Sequence, residues 1–293
     1  MSDDESDFLA ERFEAQRAHL HAVAYRMLGS STEADDAVQE AWRRLSRSDR
    51  DAIDNLGGWL TTVTARVCLN MLRSRRTRRE EPLDPHVPDP VITSEERADP
   101  EQQALLADSV GLALLVVLET LAPAERLAFV LHDMFAVPFD EIASIVERSP
   151  DATRQLASRA RRRVQGATVP DPDVHRQREI VDAFFAAARG GDFDALVAVL
   201  DPDVVLRADS GASRVRPSEV IRGADAVASQ AVRFARPSTT LRPVRVNGDV
   251  GVVAVVNGRP LAVMGFTVAE GRIVAIDALS DPQRMRALDL SDL

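Results

Sequence analysis

Lysine is absent from this chain of 293 residues, so all 36 of its basic side chains are arginine. Cysteine occurs once, as Cys68, which excludes an internal disulfide and fits a reducing cytoplasm, where we expect the protein to act. No apolar run reaches the roughly 18 residues of a membrane span. The acidic start MSDDESDF is not a secretory signal. We therefore expect no membrane association.

An excess of positive charge is also lacking, because the net charge is −10, which argues against a general nucleic-acid binder. The positive charge is nevertheless concentrated in two segments. Residues 60–79 carry six arginines and no acid, and residues 154–163 carry five arginines and no acid. Between them, residues 84–101 contain six acids and one arginine. Two basic segments separated by an acidic, proline-rich segment are the first organising feature of the chain.

Hydrophobic periodicity divides the chain into an all-helical front and an α+β back. Residues 8–80 predict three helices, with Gly29 ending the first and Ser31 or Thr32 capping the second. Residues 81–104 are rich in proline and acid and predict a linker. Helices resume over 105–167. Valine-rich runs separated by turn signals then predict strands within 174–293.

A helix-turn-helix is predicted over 139–164. Ser149 can cap its second helix and Pro150 fits the first turn. The inward stripe of that helix consists of Thr153, Leu156, Ala157, Ala160 and Val164. The opposite face, suited to base edges and phosphates in a major groove, consists of Arg154, Gln155, Ser158, Arg159 and Arg162. The alternative is a solvated basic face without a partner.

The basic helix at 59–79 predicts a second DNA contact. Arg66 and Asn70 lie one turn apart and can face bases, whereas the cluster at the end of the helix can hold phosphates. That cluster consists of Arg73, Arg75, Arg76, Arg78 and Arg79. The alternative is a surface helix whose charged end is favoured by the helix dipole.

Together these segments resemble an extracytoplasmic-function (ECF) sigma factor, a promoter-recognition subunit of RNA polymerase of the sigma-70 family. The resemblance is carried by AYRMLGSSTEADDAVQEAWRRL, GGWLTTVTARVCLNMLRSRRTRRE and LAPAERLAFVLHDMFAVPFDEIASIVERSPDATRQLASRARRRV. It implies two sigma domains, one at 8–80 for the polymerase clamp and the −10 element and one at 105–167 for the −35 element. The implied partners are core RNA polymerase, through its β′ clamp and β flap, and promoter DNA.

The resemblance also assigns roles to residues. The D-x-x-Q-E pattern of the clamp-binding hairpin falls on Asp36, Gln39 and Glu40, with Asp35 beside it. The −10 contacts fall on Arg66, Asn70, Arg73 and Arg76. In members with a C-terminal extension the linker usually carries a Trp-Leu-Pro motif, which is replaced here by EEPLDPHVPDP.

Residues 174–293 resemble a SnoaL-like domain of the NTF2-like cone fold. That fold carries both enzymes and inert binding modules, so it does not assign an activity. No histidine follows His175, and the carboxylates predicted on strands are Asp203, Asp209 and Asp277, of which we expect the last two at turns or on the surface. We therefore predict a regulatory domain without catalysis, cofactor or metal, acting in cis and able to hold a small ligand in an apolar cavity.

Two other functions stay open at this point. A one-component regulator would combine the helix-turn-helix with a ligand-sensing cone and would bind duplex DNA without polymerase. An isomerase or cyclase fused to a DNA-binding domain would need an acid-base residue inside the cone.

Overall fold

The computed structural model describes residues 3–48, 53–78, 86–94, 111–211, 218–235, 238–288 and 290, without the side chains of 3–8 and 78. The chain forms two compact units. The helical unit comprises Met1–Pro82 and Val117–Gly166, and the sheet unit comprises Leu83–Val116 and Ala167–Leu293. The predicted order of helical domains followed by an α+β domain is confirmed.

Three helices open the helical unit: α1 (Asp3–Leu28), α2 (Ser31–Leu45) and α3 (Leu56–Arg78). Gly29 ends α1 with a φ of 69°, a left-handed conformation that glycine adopts without strain. Ser30 caps α2 by accepting the backbone N–H of Glu33, one residue before the predicted cap. The apolar faces of the three helices meet in a core that includes Phe13, Leu20, Val38, Leu45 and Leu60.

The rest of the helical unit contains the predicted helix-turn-helix. It follows α4 (Leu112–Glu119), α5 (Pro123–Phe129) and a π-helical turn (Val130–Met134), and consists of α6 (Phe139–Val146) and α7 (Pro150–Gln165). Glu147 turns the chain between α6 and α7 with a φ of 58°. Ser149 caps α7 by accepting the N–H of Ala152 at 3.2 Å, so the predicted start of this helix is confirmed.

The described residues of the sheet unit form seven strands in the order β1-β4-β5-β6-β7-β2-β3, and among these strands β2 and β7 are the parallel pair. The strands are β1 (Ile92–Ser94), β2 (Leu200–Asp209), β3 (Glu219–Arg222), β4 (Thr239–Val246), β5 (Asp249–Val256), β6 (Arg259–Ala269) and β7 (Arg272–Leu279). The helices are α8 (Val174–Gly190), α9 (Phe193–Val199), α10 (Ala224–Phe234) and α11 (Pro282–Ala287).

Both faces of this sheet are covered, because successive side chains of a strand point to opposite faces. Val250 and Val252 of β5 belong to a core that includes residues of α8, α9 and α10. Val253 and Val255 belong to a second core that includes Met285 of α11.

One edge strand comes from the segment predicted as a linker. Ile92 of β1 lies opposite Val246 of β4. The side chain of Asn247 accepts the N–H of Val91 at 3.1 Å, and the backbone N–H of Asn247 donates to the Val91 carbonyl at 2.8 Å. This strand was not predicted, because its three pairing residues are surrounded by the prolines and acids that indicate a linker.

Candidate nucleic-acid interface

The outward face of α7 is placed as the sequence predicts. Thr153, Ala157 and Ala160 are buried. The side chains of Arg154, Gln155, Ser158, Arg159 and Arg162 are all exposed. Because Ser149 and Pro150 fix where the helix begins, they also fix which side chains point outward. The face therefore offers three guanidinium groups and two polar groups to a partner such as a DNA groove.

Acids beneath α7 hold neighbouring arginines. Glu125 of α5 is buried and lies 3.4 Å from Arg163 Nη1 and 4.0 Å from Arg159 Nη1. Asp133 lies 2.5 Å from Arg161 Nε. Sequence reasoning missed these contacts because they join residues 28 or more positions apart.

Arg154 forms its ion pair within its own helix. Its Nη1 atom lies 2.5 Å from the carboxylate of Asp151, and its guanidinium lies 5.7 Å from the centre of the Phe139 ring. The two ion-paired side chains are 53% and 88% exposed, so water competes for this pair and a DNA phosphate or base can replace it.

The predicted −10 residues share one face of α3. Arg66, Asn70, Arg73 and Arg76 recur at helical spacing, and all four are exposed. Arg66 also donates from Nη2 to the carbonyl of Ser144 at 3.5 Å.

Arg75 does not belong to this face, which corrects its prediction as a phosphate contact. It forms an ion pair with Glu33 of α2 and donates from Nη1 to the Leu28 carbonyl at 3.1 Å. It thus ties α3 to the ends of α1 and α2. The side chain of Arg78 and all of Arg79 lie outside the described residues.

The predicted polymerase-binding residues lie along α2. Asp35, Asp36 and Gln39 are exposed, and Asp35 lies 3.6 Å from His21 Nε2. Glu40 is half-buried and accepts hydrogen bonds from Arg44 at 2.9 Å and Arg43 at 3.3 Å, which lower the pKa of its carboxyl group. Glu40 therefore pairs with arginines of its own helix and is also a predicted polymerase contact.

A groove of about 510 Å³ runs between α2 and α3. Val67 and Met71 provide apolar surface within it. Its polar lining combines side chains from both predicted sites, namely Asp36, Glu40 and Asn70, with Glu33, Arg44, Ser74 and Arg75. The two predicted sites of the front domain thus border the same groove.

Both buried carboxylates of the cone have arginine partners, which corrects their prediction as turn or surface residues. Asp277 is 3% exposed, and its carboxylate lies 2.9 Å from Arg207 Nη1 on the neighbouring strand. Burial raises the pKa of Asp277, and Arg207 opposes that rise. Asp203, by contrast, is exposed.

Arg284 of α11 joins the cone to the linker segment. It contacts Asp209 Oδ2 at 2.6 Å and Asp89 Oδ1 at 2.5 Å, and it donates to the Val87 carbonyl. Burial favours a higher pKa for Asp209. Hydrogen bonds from His86 and the backbone, together with the charge of Arg284, outweigh burial and lower the pKa of Asp209 to about 2. We call His86, Val87, Asp89, Asp209 and Arg284 the linker cluster.

The described part of the chain contains no group of three His, Cys, Asp or Glu side chains that could hold a metal ion. Within the same residues, no helix is long and apolar enough to cross a membrane.

Comparison with known families gives the class of protein. Residues 13–78 match Sigma-70 region 2, residues 111–164 match Sigma-70 region 4, and residues 181–277 match the SnoaL-like domain. The helical unit therefore contains region 2 and most of region 4, and the sheet unit contains the SnoaL-like domain.

Relatives that match along nearly their whole length define the family more closely. The chain is 38% identical to the probable ECF RNA polymerase sigma factor SigI of Mycobacterium tuberculosis, with 96% of both chains covered. It is 38% identical to the ECF sigma factor SigJ of the same organism, with 96% of this chain and 94% of SigJ covered. The crystal structure of SigJ matches with a TM-score of 0.75 at 35% identity, covering 96% of this chain and 99% of that one. The chain belongs to the ECF family of RNA polymerase sigma factors.

Proposed function

We propose that this sigma factor reads the −35 element with the outward face of α7. The observation that carries the proposal is the alignment of Arg154, Gln155, Ser158, Arg159 and Arg162 on one exposed face of a helix with a fixed start. Arginine can hydrogen-bond guanine with two donors, and the second helix of a helix-turn-helix lies in the major groove.

The exposed face of α3 is the proposed −10 contact. Arg73 and Arg76 supply charge for phosphates, and Arg66 and Asn70 supply hydrogen-bonding groups for bases. Promoter opening would leave unstacked bases of one strand for this face to hold. The chain would perform no chemistry on the DNA.

Core RNA polymerase is the proposed partner of α2, through its β′ clamp, and of the second sigma region, through its β flap. Asp35, Asp36 and Gln39 offer two negative charges and an amide to basic clamp residues. Asp36→Arg reverses one charge and should abolish capture of core polymerase by the tagged full chain. Glu11→Arg, at an exposed acid of α1, is the matched control and should leave capture intact. Equal capture by both variants would count against this contact.

The SnoaL-like domain is proposed to modulate initiation in cis through the linker cluster. The two carboxylates that a cone enzyme would use, Asp209 and Asp277, are already paired with arginines of this chain. Asp209 also accepts the N–H of Val87 at 3.0 Å, so the cone holds the segment that joins the two sigma regions. A small apolar ligand in the cone stays a prediction.

Run-off transcription with core polymerase tests both parts of the proposal. Genomic promoter fragments selected by the wild-type protein serve as templates. Deletion of 170–293 and the substitution Arg284→Met should each change transcript yield. Unchanged yield with both would contradict modulation in cis, whereas no transcript from the wild-type protein would contradict promoter recognition itself.

A further inference from the structure

Arg154 of α7 lies against an aromatic ring of the other helix in the helix-turn-helix. Its guanidinium is 5.7 Å from the centre of the ring of Phe139, the first residue of α6. The face of an aromatic ring carries negative charge and attracts a guanidinium. Helix α6 therefore supplies a contact for a side chain that we propose for the −35 element.

The ring of Phe139 is in turn held by the ring of His132. The two ring centres lie 3.8 Å apart and the ring planes are inclined by 27°, which is a stacked arrangement. The Nδ1 atom of His132 lies 3.0 Å from the carbonyl oxygen of Val137. Because a carbonyl oxygen only accepts, Nδ1 carries the hydrogen and donates it. This bond fixes the orientation of the imidazole, and the stack then restricts the ring of Phe139.

The backbone around His132 is irregular. His132 lies in the π-helical turn, a form that is rare and often found at functional sites. After that turn Ala136 has a φ of 55°, in the left-handed region that residues with a Cβ atom seldom adopt. Asp133, next to His132, pairs with Arg161 at 2.5 Å and so ties the turn to α7. Such an outlier points to a function for the side chain that it places.

The two contacts of Arg154 differ in what happens when DNA binds. Asp151 occupies the Nη1 donor, so a base or a phosphate has to replace it. The attraction of the Phe139 ring is to the charge of the whole guanidinium rather than to one N–H group, so it persists when those groups bind a base. Arginine has a large rotamer entropy, and a contact that restricts the side chain beforehand lowers the cost of binding.

We propose that Phe139, stacked on His132, positions Arg154 and thereby determines part of the base specificity of the −35 contact. This inference rests on the proposed function of α7. The edge of a base accepts a guanidinium only in a narrow range of positions. Loss of the Phe139 ring should therefore weaken discrimination between bases.

Titration with matched duplexes tests the inference. The full chain is titrated by fluorescence anisotropy with a −35 duplex from the promoter fragments of the run-off assay and with duplexes that differ from it at one base pair. The quantity measured is the ratio of the two affinities. Arg154→Ala identifies the base pair that Arg154 reads, because the ratio at that position is lost.

Phe139→Leu removes the ring but keeps an apolar side chain. At the position that Arg154 reads, this change should reduce the ratio about two- to fivefold, as expected for an exposed cation–π contact. At the other positions the ratio should stay the same. Loss of folded protein would lower all apparent affinities by one factor and would leave every ratio unchanged.

Two controls accompany this variant. Phe139→Tyr keeps the ring and should discriminate as the wild-type chain does. Phe193→Leu, at an exposed phenylalanine of α9, makes the same change elsewhere and should also leave every ratio unchanged. In the background of Arg154→Ala, Phe139→Leu should have no further effect on the ratio, because the side chain that it positions is missing.

The role of His132 is tested in the same assay. His132→Leu removes the ring that stacks on Phe139 and should lower the same ratio. Added to Phe139→Leu it should cause no further loss, because both residues act through Arg154. Additive losses would contradict the role of His132.

The outcomes separate the inference from the proposed function. Unchanged discrimination by Phe139→Leu would overturn the inference, and so would a loss spread over all positions or a further loss in the background of Arg154→Ala. If the wild-type chain fails to bind the duplex, or if Arg154→Ala changes no ratio, the proposed −35 contact of Arg154 is itself contradicted.

Discussion

The two units of this molecule use arginine in opposite ways. On α7, Arg154 is about half exposed and its partner Asp151 is almost fully exposed. In the sheet unit the side chain of Arg284 is 20% exposed, and it contacts Asp209, which is 6% exposed. The first guanidinium can exchange its partner for DNA, because an exposed pair contributes little free energy. The second is tied to buried acids and has a structural role.

This difference has a practical consequence for a chain without lysine. The density of arginine in the sequence marks the proposed DNA-binding helices, but it does not separate an outward arginine from one such as Arg75 that ties helices together. Arg154, whose partner Asp151 is 88% exposed, and Arg284, whose partner Asp209 is 6% exposed, mark the two extremes. The following substitutions test the difference from the largest expected effect to the smallest.

The largest effect is expected from removing the arginine whose partner acid is most buried. Arg207→Met leaves Asp277 without its partner at 2.9 Å and should lower the free energy of unfolding by about 3 kcal/mol at pH 7. Burial raises the folded-state pKa of Asp277, so the folded protein binds the proton more tightly than the unfolded chain. The penalty should therefore shrink as the pH falls toward the ordinary aspartate value near 4. Urea unfolding at pH 7 and pH 5 measures it, and a second change, Asp277→Asn, should recover part of the loss.

The linker cluster should respond next. Arg284→Met should accelerate hydrogen exchange of the Val87 amide at least tenfold, because the pairs with Asp209 and Asp89 are lost. Arg286→Met, at an exposed arginine of the same helix, is the control. Equal exchange in the two variants would contradict the assigned role of Arg284.

The same cluster predicts a dependence on pH. The folded-state pKa of Asp209 is about 2, below its ordinary value of 3.8, so its ionised form stabilises the folded state above about pH 4. That contribution should disappear as the pH falls from about 4 to 2. Arg284→Met should weaken this acid sensitivity in pH-dependent exchange of Val87, and an unaltered profile would speak against it.

Exposed arginines of α7 should affect binding more than folding. Arg154→Ala or Arg159→Ala should weaken −35 recognition by about 1–3 kcal/mol if each contacts a base, with selectivity lost at one position. Thermal unfolding should be unchanged in Arg154→Ala, because the partner Asp151 is exposed, and slightly lowered in Arg159→Ala, because the partner Glu125 is buried. Arg189→Ala, at an exposed arginine of α8, is the control. It should change neither the affinity for the −35 duplex, measured by a fluorescence binding assay, nor thermal unfolding.

The smallest effect is expected at Arg76, a proposed phosphate contact. Arg76→Ala should weaken binding to all promoter sequences alike and reduce the salt slope of the affinity by about 1. Titrations at several salt concentrations measure that slope, and a change in sequence preference would show that Arg76 contacts a base instead.

Local signals in the sequence predicted a large part of the fold and the exposed faces. Ser149 and Pro150 fixed the start of α7, and the helical period then placed Arg154 outward and Thr153 inward. Contacts over long separations could not be predicted in this way. Glu125 meets Arg163 across 38 residues, and Arg284 meets Asp89 across 195. Periodicity describes one element at a time and does not say which elements meet.

The most direct test of the account is DNA cleavage by a reagent tethered to each proposed contact helix in the complex with core polymerase. Gln155→Cys on α7 and Thr77→Cys on α3 are both exposed, whereas Cys68 is buried, so each variant offers one reactive thiol. We predict cuts near −35 from position 155 and near −10 from position 77, about 25 base pairs apart. Cuts from both positions at a single element, or none from position 155 at −35, would contradict the central claim.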